Sequence, residues 1–302
     1  KGDNEPARLD LPDEILIKDL CTDDENNLYL STFNMGIYKL GQNGMVHYSE
    51  ENGLGTSNIQ TTFIDREGTM WVGAYGSGVY KHSREVFTYY LMSSEIPVQD
   101  ILVDVNEMYI ATKNKIIKVQ DDNFSNLDTI VVENISNITC LYADQKNQLW
   151  IGTSNNGLFV CDRSSKQVRK WSLTSDYLAS TINDISGYGN QIWVGTYNGL
   201  YEIGEFNALN HYDISSGLSH NRVNCLYFDD DEKALYIGTE SAELSILKNG
   251  HLTNRRYSES YSMLNIFHID KLSDGGIYLA SQGDGVFRFL NDQFEQFSTN
   301  EG

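Results

Sequence analysis

Leu149-Trp150-Ile151-Gly152-Thr153 is an apolar run of strand length that ends in two small residues. Ser154-Asn155-Asn156-Gly157 follows as turn chemistry, with the glycine free to take positive φ. Leu158-Phe159 then opens another strand. The same pattern recurs at Leu28–Thr32, Met70–Ala74, Met108–Thr112, Ile192–Thr196, Leu235–Thr239 and Ile277–Ser281. Its aromatic residue falls at positions 29, 71, 109, 150, 193, 236 and 278, so the spacings are 42, 38, 41, 43, 43 and 42. A period held over the whole chain is the mark of a repeat architecture.

Each repeat carries four short strand signals. The first is Ile59–Asp65 in the second repeat, with counterparts Ile138–Asp144, Val223–Asp229 and Leu264–Asp270. The second is the aromatic run, the third an aliphatic–aromatic pair such as Val79-Tyr80, and the fourth a loose aromatic strand such as Val168–Trp171. Helical periodicity is absent. Four antiparallel strands in a unit of this length make one propeller blade. The chain therefore reads as an all-β, seven-bladed β-propeller over residues 13–302, with blades starting near 15, 57, 97, 137, 181, 222 and 263. Residues 1–12 fall outside the period and read as a lead-in or an extra edge strand. An open solenoid would need atypical capping repeats, and the repeats show none.

Hydrophobic residues make up 40% of the 302 and aromatics 12%, ample for a packed core. Lys plus Arg number 22 against 42 Asp plus Glu, a formal charge of −20. That charge repels phosphate backbones and anionic lipid and argues against nucleic acid as a partner. Cys21, Cys140, Cys161 and Cys225 form no CxxC pair and read as buried free thiols, so neither a metal nor a cofactor is expected. The first residue is Lys1 and the last Gly302, which reads as a piece of a longer protein. Gly73–Gly78 joins two strands and is no phosphate cradle, while Asp229-Asp230-Asp231-Glu232 lacks the spacing of a calcium loop. The Asp at 23, 65, 104, 144, 229 and 270 reads as turn chemistry, and His268 as a packed histidine.

Leu149–Phe159 and Ile192–Tyr201 resemble the two-component regulator propeller repeat, an inner strand ending in Asp followed by Leu-Trp-Ile-Gly-Thr and Gly-Leu-aromatic. The linkers Asn52-Gly53-Leu54 through Ile59 and Ser216-Gly217-Leu218 through Val223 are similar to that family's as well. The third and sixth repeats depart from it, since Lys113–Ile116 and Ser241–Leu244 lack the glycine. The resemblance implies the periplasmic sensor region of a hybrid two-component system of Bacteroides-like bacteria. It implies an oligosaccharide ligand, a neighbouring propeller or Ig-like domain, and a downstream histidine kinase. It implies no enzyme.

Propeller ligands commonly meet one rim of the central channel. The inner strands predict a polar ring there: Lys18, Gln60, Gln99, Thr139, Asn183, Asn224 and Asn265. Turns between second and third strands add the candidate ligand-binding residues Phe33, Tyr75, Asn155, Tyr197, Asn198, Gln282 and Asp284, with Arg222 beside them. Aromatic residues are unusual in such turns, and sugars offer C–H faces to stack on rings and hydroxyls for amides. The expectation is an oligosaccharide or other small polar ligand, relayed by rearrangement of domains or of a homodimer. The rivals are a protein-interaction scaffold and a lyase of the streptogramin type, also a seven-bladed propeller, with a metal and a histidine at the channel mouth; His220 alone stands near it.

Overall fold

A computed structural model of the chain describes residues 11–12, 15–41, 44–65, 68–83, 86–90, 97–104, 107–119, 127–131, 135, 137–174, 177–257, 265–272, 274–281 and 285–297. These residues form seven four-stranded antiparallel sheets, each made of four consecutive strands. In blade 1 the strands are Ile17–Thr22, Leu28–Thr32, Ile37–Gly41 and Gly44–Tyr48. The inner strands of blades 2 to 7 are Ile59–Ile64, Val98–Asp104, Ile138–Ala143, Ile182–Tyr188, Val223–Asp229 and Ile266–Lys271. Consecutive inner strands pack side by side, and the seventh meets the first. The ring is closed without strand exchange. Helix among the described residues is confined to short 3-10 turns, and no helix there is long and apolar enough to cross a membrane.

The second strand of each blade is sandwiched between neighbouring sheets, which is why it reads as an unbroken apolar run rather than an alternation. Leu28–Thr32, Met70–Ala74 and Ile277–Ser281 are buried at every position. Outer strands such as Gly44–Tyr48 are largely exposed. The glycine of the repeat has a packing cause. A Cβ on Gly152 would stand 2.8 Å from the Ile182 side chain of the next blade, and one on Gly195 2.7 Å from Val223. These close approaches let blades pack without a gap. Replacing Gly195 with alanine should therefore cost about 1–3 kcal/mol by overpacking, read as a lowered midpoint in chemical unfolding. An unchanged midpoint would show that the interface yields.

The two linker motifs fold alike. Glu50–Asn52 and Ile214–Ser216 each form one 3-10 turn, closed by Gly53 at φ 99° and Gly217 at φ 102°. Leu54 and Leu218 donate their N–H groups back to the Ser49 and Asp213 carbonyls and bury their side chains completely. Glycine is required by the left-handed backbone and leucine by the core it plugs.

The seventh repeat needs one correction. Its inner strand begins at Ile266, whereas the sequence alignment started at Leu264, which lies outside the described residues. Asp270 consequently sits inside the strand opposite Tyr278. The turn aspartate is Asp274, which accepts the Gly276 N–H (2.8 Å) and the Tyr278 hydroxyl (3.3 Å). Asp23, Asp65 and Asp144 do take the expected turn role, accepting from Tyr29, Trp71 and Trp150. The four cysteines are free. Of the lead-in, Leu11 is buried in the cluster joining blades 1 and 7.

Candidate functional site

Every inner strand carries a β-bulge at its second residue. The register slips between Ile17 and Asp19, Ile59 and Thr61, Ile138 and Cys140, Ile182 and Asp184, Val223 and Cys225, and Ile266 and His268. Blade 3 slips at the same place, between Val98 and Asp100. A bulge leaves one residue unpaired and re-aims its side chain. The seven bulge residues are Lys18, Gln60, Gln99, Thr139, Asn183, Asn224 and Phe267. Phe267 thus replaces Asn265 in the ring read from the sequence. Two members are committed to neighbouring blades: the Thr139 hydroxyl donates to the Ile182 carbonyl (2.7 Å) and the Asn183 amide to that of Val223 (2.6 Å).

The next residue in each strand holds the ring together. Asp19 accepts the Thr62 N–H (2.8 Å), Asp100 the Leu141 N–H (2.7 Å) and Asp184 the Leu226 N–H (2.7 Å), each from the following blade. Blades 2, 4 and 6 carry Thr61, Cys140 and Cys225 at that place. An alternation of carboxylate and small residue cannot close on an odd number of blades. At the closure stands His268, whose Nδ1 lies 3.0 Å from Asp19 Oδ1. Burial would lower the imidazole's pKa, but the charge and hydrogen bond of Asp19, helped by Asp270 and Asp184, raise it to about 9. Burial alone would raise Asp19; His268 and the bonds from Thr62 and Thr61 instead hold it below the ordinary range. Burial pushes Asp100 up to about 7 and Asp184 to about 6.

The candidate residues distribute unevenly over the rim. Tyr75 is 54% exposed and Phe33 41%. Tyr197 and Arg222 are brought together. The Arg222 guanidinium lies 4.2 Å from the centre of the Tyr197 ring and donates to its hydroxyl (2.7 Å), while Nη1 faces Glu240 at 3.3 Å. Asn198 is half-buried and donates to the Tyr201 hydroxyl (3.2 Å). Asn155 is exposed on blade 4. Gln282 and Asp284 lie outside the described residues. Two aromatic residues escaped the sequence reading. Phe267 was hidden by the two-residue misalignment. Tyr177, 79% exposed, sits in a linker without strand pattern and borders a groove of about 330 Å³ with Lys170, Trp171 and Ser180. The Gly157 N–H donates to the Ser180 carbonyl, placing this groove next to Asn155 on the same rim.

The architecture defines the class, a seven-bladed propeller of short repeats. Its fourth repeat, residues 133–155, matches the two component regulator propeller family, so the chain carries the repeat with which its sequence was identified. No curated protein matches the chain. Among solved structures it is similar to the extracellular domain of a hybrid two component system of B. thetaiotaomicron, with a TM-score of 0.77 and 17% identity over 93% of this chain and 40% of that one. It is similar to the extracellular domain of a one component system of the same organism, with a TM-score of 0.62 and 18% identity over 94% of this chain and 49% of that one. The chain thus spans about two-fifths and one-half of those structures. It is also similar to a catalytically inactive virginiamycin B lyase from Staphylococcus aureus with quinupristin, with a TM-score of 0.76 and 15% identity over 92% of this chain and 96% of that one. At these identities the likeness is one of fold.

Proposed function

We propose that the chain is the periplasmic ligand-sensing propeller of a two-component signalling receptor and carries no catalytic activity. It binds an oligosaccharide on the rim formed by the bulge ring and the turns between second and third strands. The observation that carries this reading is the pair of exposed rings, Tyr75 and Phe33, in turns that ordinarily hold small polar residues. Apolar platforms beside a few placed amides suit a sugar, which presents both C–H faces and hydroxyls. Supporting it are the repeat family and the fold likeness to extracellular domains of Bacteroides regulators. The rigid ring relays binding by favouring one arrangement of a neighbouring propeller, an Ig-like domain or a homodimer.

Thermal unfolding against a panel of plant, host and microbial oligosaccharides tests this. A ligand at about 100 times its Kd stabilises by roughly 2.7 kcal/mol, on the order of 4 °C for a chain of this length. The shift should appear with one sugar class and vanish in Tyr75→Ala. A panel that produces no shift removes the self-contained site and leaves either a site completed by a neighbouring domain or a scaffold.

One observation favours a second reading, a lyase: the near-complete mutual coverage with virginiamycin B lyase. The rim offers His220, whose Nδ1 accepts the Arg222 N–H (3.1 Å), and among the described residues no three His, Cys, Asp or Glu side chains converge as metal ligands. Turnover dependent on an added divalent cation would establish the lyase.

A further inference from the structure

The turns at the two ends of the blades differ in charge. Turns between first and second strands carry Asp23-Asp24-Glu25, Asp65, Asp144, Asp229-Asp230-Asp231-Glu232 and Asp274. The turns on the opposite rim are Phe33–Met35, Tyr75–Ser77, Lys113-Asn114, Ser154–Asn156, Tyr197-Asn198 and Glu240–Ala242. Among the described residues of those turns the one carboxylate is Glu240, and Arg222 is paired with it. The linkers on that rim still carry Glu50, Glu51 and Asp213, so it is these turns around the channel, and not the whole rim, that are poor in acid.

At the mouth of the channel on that rim stands Lys18, the one charged member of the bulge ring. Lysines 39, 118, 166, 233, 248 and 271 each lie within 4 Å of a carboxylate. Lys18, like Lys81, Lys113, Lys115, Lys146 and Lys170, has no such partner among the described residues. Its Nζ instead lies 5.8 Å from the centre of the Phe33 ring and 5.7 Å from that of Phe267. The adjacent carboxylate, Asp19, is taken by His268, Thr61 and Thr62. An ammonium held between two rings gains a cation–π attraction of about 0.5–1 kcal/mol at an exposed site and keeps its donors for an anion.

We infer that the channel mouth recognises the anionic group of an acidic sugar, with Lys18 pairing the carboxylate or sulfate and Phe33 and Phe267 flanking the pyranose ring. This rests on the proposed sensor reading and names its substrate class. A neutral sugar would use the rings and leave the ammonium without a counter-charge. A simple anion would use the ammonium and leave the rings idle. An acidic sugar engages both.

Calorimetric titration with oligogalacturonates, with their methyl esters and with sulfated chondroitin disaccharides tests the inference. At least one acidic probe should bind ten-fold or more tightly than the neutral esters, and more weakly as NaCl is raised from about 0.05 to 0.5 M. Lys18→Met should lose that ten-fold preference and Lys18→Arg should keep it. Phe33→Ala, at an exposed turn, should weaken acidic and neutral probes together. Equal affinity for acids and esters, or an acid preference that survives Lys18→Met, overturns the inference while the sensor reading stands. Binding by none of these probes, with a shift from a neutral oligosaccharide in thermal unfolding, overturns the inference alone. Silence in both assays overturns both.

Discussion

Trp150→Ala should lower the unfolding free energy by about 3–5 kcal/mol, and Trp150→Phe should cost more than Trp193→Phe. Both indoles occupy the same place in the repeat and both are buried. Trp150 Nε1–H donates to Asp144 Oδ2 at 2.9 Å, while Asp144 Oδ1 accepts the N–H groups of Lys146 (2.8 Å) and Gln148 (2.9 Å). Phenylalanine there would strand half of a buried carboxylate. In blade 5 the residue at the aspartate's position is Tyr188, and Trp193 Nε1 is buried without a hydrogen-bond partner. Trp193 instead stacks on Phe228 (5.1 Å), Phe228 on Tyr188 (4.8 Å), and Lys233 Nζ caps Tyr188 at 4.1 Å. Blade 5 has exchanged a hydrogen bond for an aromatic column. Phenylalanine at 193 keeps the stack and removes an unsatisfied donor. The two Trp→Phe variants should therefore differ by about 1–3 kcal/mol, the penalty for leaving a buried polar group unpaired. Urea unfolding of both reads the difference; equal costs would mean that the Asp144 bond contributes nothing.

That contrast marks what the sequence can disclose. Blade count, strand order and the buried second strands were legible, because burial on both faces writes an apolar run that repeats with the blade. The turn aspartates at 23, 65 and 144 were legible for the same reason. Asp270 was misread because an acidic residue two positions from its true register still satisfies a seven-residue pattern. The bulges themselves were not legible, since a bulge is a slip between two strands and each strand alone looks regular, although six of the residues they re-aim stood out as a polar ring. Phe267 was lost to the two-residue slip in the seventh repeat, which put Asn265 in its place. The rim is legible only as a set of turns: nothing along the chain says that Arg222 stacks on Tyr197 while Tyr75 stacks on no neighbour among the described residues. Those contacts depend on how far adjacent blades are rotated, a property of the ring.

The ring closure leads to the other large effect: the midpoint of thermal unfolding should be higher at pH 5.5 than at pH 8.5, and His268→Gln should flatten the part of that slope above pH 6.5. His268 keeps its proton to about 9 in the folded chain, while a free imidazole releases it near 6.5. The native state therefore binds more protons across that window, and its advantage is complete below 6.5 and lost as pH rises through 9. Asp100, Asp184 and Asp270, raised by burial to about 7, 6 and 6, act in the same direction at lower pH, because unfolding lets them ionise near their ordinary value. Carboxylates held low, such as Asp19, Asp23 and Glu107, stabilise above the ordinary carboxylate range and lose that contribution in acid, outside this window. The His268 side chain is 36% exposed, so its share is discounted for solvent to about 1–2 kcal/mol. Glutamine preserves a donor for Asp19 but cannot titrate. A midpoint that climbs from pH 5.5 to 8.5, or a His268→Gln variant with an unchanged slope above 6.5, would show that the Asp19–His268 pair does not carry the closure. The expected result would mean that a ring of seven, which cannot alternate acid and small residue to completion, is finished by one charged pair where the first blade meets the last.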